Sequence, residues 1–128
     1  MFRDSFSVGE VYHIYNRGSD KRNIFSDKND YRRFLKSLLF FNREDGIKIR
    51  DLDGRNILPP AKEERIVSIL AYCLMPNHYH LLVREKKENG ITSFMRKLGT
   101  GYTMYFNTKY ERNGVLFQGK FKSVLVSE

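Results

Sequence analysis

Cysteine is nearly missing from this chain of 128 residues, where Cys73 stands alone. One thiol excludes an internal disulfide framework, a Cys-rich zinc site and the Cys-x-x-Cys half of a zinc deaminase. It suits a reduced, cytoplasmic setting. No apolar run approaches the ~20 residues of a membrane span. The opening Met1-Phe2-Arg3-Asp4-Ser5 lacks the apolar core of a secretory signal. Neither an internal repeat nor a low-complexity tract appears. Acidic residues are the scarcer charge: 15 stand against 23 Lys and Arg, leaving a net charge of +8. Such an excess points to a polyanionic partner, usually nucleic acid, through counterion release. A membrane surface competes for that role, but no long basic amphipathic helix with an unbroken apolar face is present. With 41% hydrophobic residues the chain reads as a single globular domain spanning 1–128.

Val11-Tyr12-His13-Ile14-Tyr15, ended by Asn16-Arg17-Gly18, predicts a first strand. Ser26 or Asp27 then stands where a helix cap is wanted. Tyr31, Phe34, Leu35, Leu38 and Phe41 recur at helical spacing, which predicts an amphipathic helix over about 28–42 with Arg32, Arg33, Lys36 and Asn42 on its other face. Residues 43–65, punctuated by Gly46, Gly54, Pro59 and Pro60, read as a surface excursion with a short ribbon around Ile47 to Arg50. Ile66 to Leu74 and His78 to Arg84 are apolar runs joined by Met75-Pro76-Asn77, the pattern of an antiparallel hairpin. A second helix is predicted from Ile91 to Phe106, interrupted by Gly99 and Gly101. Val115 to Phe117 and Phe121 to Val126 read as strand. The resulting order, β-α-β-β-α-β, is that of an α+β, ferredoxin-like split βαβ fold: an antiparallel sheet with two helices packed on one face and the other face open to a ligand.

The sharpest local feature is Pro76-Asn77-His78-Tyr79-His80. Residues two apart in a strand share a face and lie roughly 6.5–7 Å apart along the chain. His78 and His80 therefore project into the same space, where two imidazoles can hold one divalent cation between them. A pair of structural histidines is the competing explanation, since two ligands do not close a coordination sphere. The remaining histidine, His13, belongs to another strand and reads as a structural residue or a hydrogen-bond partner.

Tyr72 to Val83, containing Pro76-Asn77-His78-Tyr79-His80-Leu81-Leu82-Val83, resembles the His-hydrophobic-His signature of the HUH-type single-tyrosine transposases. The REP-associated tyrosine transposases and their insertion-sequence relatives are the most similar kind. Three further stretches agree in order. Tyr12 to Gly18 resembles the family's first strand, and Ile24-Phe25 with Asp30 to Leu35 resembles its first helix. Phe94 to Asn107, followed by Gly114 to Ser123, resembles its second helix and closing strand.

The resemblance implies cleavage and rejoining of single-stranded or hairpin DNA, with His78 and His80 holding Mg²⁺ or Mn²⁺ against the scissile phosphate. It also implies a tyrosine nucleophile that forms a 5′-phosphotyrosine. In the family that tyrosine lies on a further helix, which usually supplies a third metal ligand. No residue here matches it, so no catalytic residue is assigned and the chain is expected to be C-terminally truncated relative to the family, with little nicking activity alone. Tyr102 and Tyr105 keep step with the apolar face of the second helix and read as core. The relatives include dimers, so a homodimer is among the expected assemblies.

DNA contacts follow from charge independently of the resemblance. Nine basic residues against three acidic ones lie between Arg84 and Lys122. Arg96, Lys97, Lys120 and Lys122 are the candidates in that stretch, and Arg17, Lys21 and Arg22 form a second cluster after the first strand. Each is weighed against a merely solvated role. Tyr79 and Phe117 can stack a base only if exposed, against a competing place in the core. The alternative function is a non-catalytic single-stranded nucleic-acid-binding module, with Gly119 to Val126 as a basic-aromatic strand. A structural or protein-interaction domain is the third class.

Overall fold

A computed structural model describes residues 5–46 and 57–127. The ribbon expected around Ile47 to Arg50 lies outside them. Four strands, β1 (Val11–Arg17), β2 (Val67–Met75), β3 (His78–Glu85) and β4 (Lys122–Val126), form one sheet in the order β2-β3-β1-β4, and every neighbouring pair is antiparallel. Two α-helices, α1 (Lys28–Phe40) and α2 (Gly90–Lys109), complete the split βαβ arrangement. The fold class is thus the α+β, ferredoxin-like one that the order of apolar periods predicts. Among the described residues no helix is long and apolar enough to cross a membrane.

Strand alternation decides which face of the sheet is covered. In β1, Tyr12, Ile14 and Asn16 are buried while their neighbours are not; in β3 the buried set is Tyr79, Leu81, Val83 and Glu85. The apolar members of that set, Tyr12, Ile14, Tyr79, Leu81 and Val83, meet Phe34 and Leu38 of α1 and Ile91, Phe94, Met95, Leu98, Tyr102 and Phe106 of α2 in one apolar core. The ring edges of Phe34 and Tyr102 pack T-shaped at 5.2 Å, and Phe34 tilts against Tyr79 at the same separation. Full burial of each such side chain contributes about 1.5–3 kcal/mol.

Asp27 caps α1, accepting from the Asp30 backbone N–H while the Asp30 carboxylate accepts from that of Asp27. Asp30 also ties the two helices together. Its fully buried carboxylate accepts from the hydroxyls of Tyr105 and Tyr110 and from the Lys109 ammonium, at 2.6–2.9 Å. Burial pushes its pKa up, but these bonds and the Ser26 N–H outweigh that and hold it below the ordinary carboxylate value.

Three expectations need correction. Asn42 is not on a solvated helix face but buried: it lies past the end of α1, where its amide oxygen accepts from Ile66 and Val67 N–H and its amide nitrogen donates to the Val67 carbonyl. A carboxamide repeats the donor and acceptor of a peptide, so it can pair with the start of a strand. Val115 to Phe117 is not a strand, since Phe117 makes only an isolated bridge to Gly18 and Gly114 and Gly119 turn the backbone at positive φ. Finally, α2 runs unbroken through Gly99 and Gly101, its burial on the sheet outweighing their helix cost of about 1 kcal/mol each.

Candidate metal centre and nucleic-acid surface

The face of the sheet opposite the helices carries His13, Tyr15 and Arg17 from β1 and His78 and His80 from β3. Register fixes the neighbours: Arg17 stands opposite His78, and Tyr15 stands between His80 on one side and Lys122 on the other. The two-residue turn Pro76-Asn77 brings His78 to the start of β3. Tyr15, Arg17, His78, His80, Gln118 and Lys122 surround a cleft of about 390 Å³. Both histidines therefore share one accessible face, as their i, i+2 spacing predicts.

The His78 and His80 ring centroids are 5.1 Å apart, with ring planes at 89°. A metal–imidazole bond of about 2.1 Å places a ring centroid about 3.3 Å from the ion, so two imidazoles at about 90–110° stand about 4.7–5.4 Å apart. The observed separation falls inside that interval, and the donor set fits one shared divalent cation. Among the described residues no group of three or more His, Cys, Asp and Glu side chains is gathered to hold a metal. His78 and His80 offer two donors, and two donors do not close a coordination shell.

Burial, and the like charge His13 and His78 would carry, hold the His80 pKa below the ordinary imidazole value, which favours the neutral, ligating form. His78 Nδ1 lies 2.8 Å from Asn77 Oδ1, and His80 Nδ1 lies 2.9 Å from His13 Nε2. His13 is thus the hydrogen-bond partner that its separate strand suggested.

Of the basic candidates, Arg17 and Lys122 line the histidine cleft. Arg96 and Lys120 line a second groove of about 700 Å³ between α2 and the loop that precedes β4, and Asn16 borders both depressions. That loop is pinned to the end of β1, with Ser19 N–H donating to the Leu116 carbonyl, Gln118 N–H to that of Arg17 and the Asn16 amide to that of Gly119. Lys21 and Arg22 are exposed in the loop after β1, where Gly18 permits a close approach: a Cβ there would lie 2.1 Å from the Arg22 carbonyl oxygen.

Lys97 is placed elsewhere. Its ammonium donates to the carbonyls of Arg43, Glu44 and Asp45, closing the chain after α1, and it is not brought to the cleft. Tyr79 and Tyr102 are buried, and Tyr105 is bonded to Asp30. Phe117 is half-buried against the core. Tyr15, passed over in the sequence, is the tyrosine beside the histidines, its ring 5.9 Å from that of His80. Alternation put Tyr15 on the face of His13, but only the register between strands could place it by His80. Gln118 carried no signal, because its position depends on the pinned loop.

No curated protein sequence matches the chain. Among solved structures, the REP-associated tyrosine transposase bound to a REP hairpin superposes with a TM-score of 0.64 at 13% identity, covering 100% of this chain and 62% of that one. The chain therefore spans about three-fifths of that relative's length. A protein of Deinococcus radiodurans R1 described as a candidate transposase superposes at 0.58 with 14% identity, covering 100% of this chain and 87% of that one. At such identities these likenesses speak for the fold. The sequence itself speaks for the family: residues 8–128 match the model of the IS200-like transposases. With nearly its whole length matched and the paired histidines of that signature on an open sheet face, the chain belongs to the IS200-like, HUH-type single-tyrosine transposase family.

Proposed function

We propose that this domain is the DNA-holding, metal-holding part of a transposase that cuts and rejoins single-stranded or hairpin DNA. The observation that carries this reading is the convergence of His78, His80, Arg17 and Lys122 on one cleft. Arg17 and Lys122 offer cationic donors to a phosphate, and Lys21, Arg22, Arg96 and Lys120 extend the basic surface along the strand's path. Tyr15 offers a ring face to a base. His78 and His80 are the residues that would hold Mg²⁺ or Mn²⁺, which when bound polarises the phosphoryl oxygen and offsets the charge of the transition state.

The family's chemistry calls for a tyrosine nucleophile, a role to which none of the tyrosines described above is assigned. The nucleophile's phenolate oxygen attacks phosphorus, a 5′-phosphotyrosine forms and a 3′-hydroxyl leaves. Because the phosphodiester is retained as an ester, a second attack by a 3′-hydroxyl rejoins strands without another energy source. The hairpin in the REP-bound structure supports a folded DNA substrate of this kind.

Cleavage of a labelled hairpin oligonucleotide by the full-length protein tests the proposal. Activity that requires Mg²⁺ or Mn²⁺ and is lost in the His78→Ala and His80→Ala variants is expected. Equal cutting by the double variant would remove the metal role. Salt-sensitive binding that ignores EDTA and never leads to cleavage would favour the alternative, a non-catalytic single-stranded nucleic-acid-binding module.

A further inference from the structure

A histidine binds a cation through an unprotonated ring nitrogen, and a neutral imidazole has only one. Which nitrogen it is depends on what the other one bonds. At His78 the structure answers directly. Asn77 donates its amide nitrogen to the Lys21 carbonyl at 3.5 Å, which turns its amide oxygen toward His78 Nδ1 at 2.8 Å. A carboxamide oxygen only accepts, so the proton sits on Nδ1 and the lone pair on Nε2.

His80 has the equivalent contact with a different partner. Its Nδ1 lies 2.9 Å from His13 Nε2, and one proton occupies that bond. The cross-strand neighbours of His13 are Leu82 and Val124, which offer no competing side-chain hydrogen bond. His13 is not among the residues that line the cleft, and its Nε2 faces His80.

We infer that His13 is a positioning residue that accepts the Nδ1–H of His80, as Asn77 accepts that of His78, so that Nε2 is the free ligating nitrogen of both histidines before a cation arrives. Its purpose rests on the metal-holding role proposed above; the two tautomers exist without it. Two acceptors on different elements, one at the hairpin turn and one on β1, thus select the same tautomer on adjacent ligands. Such outer partners of metal-ligating histidines fix ring orientation and raise ligand basicity.

Long-range ¹H–¹⁵N NMR of the metal-free, ¹⁵N-histidine-labelled protein at mildly alkaline pH reads the tautomers. Both His78 and His80 are expected as Nδ1–H forms. His13→Leu should turn His80 to the Nε2–H form and leave His78 unchanged, whereas His13→Gln, which keeps an acceptor, should restore it. Mn²⁺ affinity, read from the electron paramagnetic resonance of the free ion, should fall about 10- to 100-fold in His13→Leu and recover in His13→Gln. An Nε2–H His80 in the unaltered protein, or one indifferent to His13→Leu, overturns the inference. If the unaltered protein binds no Mn²⁺, the metal role fails and the tautomers alone decide the inference. If His13→Leu does not fold, the spectrum of the unaltered protein decides it.

Discussion

The two faces of the sheet are built from the same strands, often from adjacent residues, yet they have opposite jobs. Toward the helices β1 and β3 present Tyr12, Ile14, Tyr79, Leu81 and Val83, all buried, with the Asn16 amide spent on pinning a loop. Toward the other side the same strands present His13, Tyr15, Arg17, His78 and His80. A period of two lets one strand supply apolar burial and polar chemistry without compromise, because neither set enters the other's environment. Stability is concentrated on one side, and the other is free to carry costly polar groups.

The largest test of that division is Phe34→Ala. It should destabilise the fold by about 3–5 kcal/mol, read by urea denaturation, because a fully buried ring is removed where helix and sheet meet. Next comes Asp30→Asn, which loses charge-assisted bonds to Lys109, Tyr105 and Tyr110 and should cost about 1–3 kcal/mol. Its pH signature has a definite sign. The folded pKa of Asp30 is held below the ordinary carboxylate value, so its contribution is present above that value and is lost as pH falls through the folded one. Acid titration of stability should therefore be shallower in Asp30→Asn than in the unaltered protein.

On the open face, Tyr15→Ala should weaken single-stranded DNA binding by about 1–3 kcal/mol in fluorescence anisotropy and leave the denaturation midpoint in place. Lys122→Ala should reduce the slope of log affinity against log salt by about 0.7, one phosphate contact on a single strand. The smallest expected effect is the most diagnostic: His78→Ala and His80→Ala should change stability by no more than about 0.5 kcal/mol. If either destabilises as Phe34→Ala does, the open face is core and the division fails.

The covered face was legible because it has a period. Phe34, Leu38, Phe94 and Leu98 keep helical spacing, Tyr79, Leu81 and Val83 alternate, and Asp27 stands where a cap is needed. The histidine pair was legible for the same reason, since i and i+2 in a strand require no knowledge of any other strand. Contacts between elements were not legible. Nothing in the chain order says that His13 meets His80, that Lys97 closes the loop after α1, or that Asn42 mimics a peptide at the start of β2. Each depends on register or on a loop's path, which tertiary packing sets. The segment before β4 misled because its apolar residues, Leu116 above all, are buried by a pinned loop rather than by a ladder.

The Pro76-Asn77 turn does more than connect two strands. Its Pro76 carbonyl accepts from Ile24 and Phe25 N–H and its Asn77 carbonyl from Gly18 N–H, which clamps the loop bearing Lys21 and Arg22 onto the same two residues that precede His78. Three backbone bonds thus tie the cationic loop to the turn that leads into the imidazole pair. On the DNA-holding role proposed above, an incoming strand would meet a prearranged grip, with little disorder left to be lost at capture.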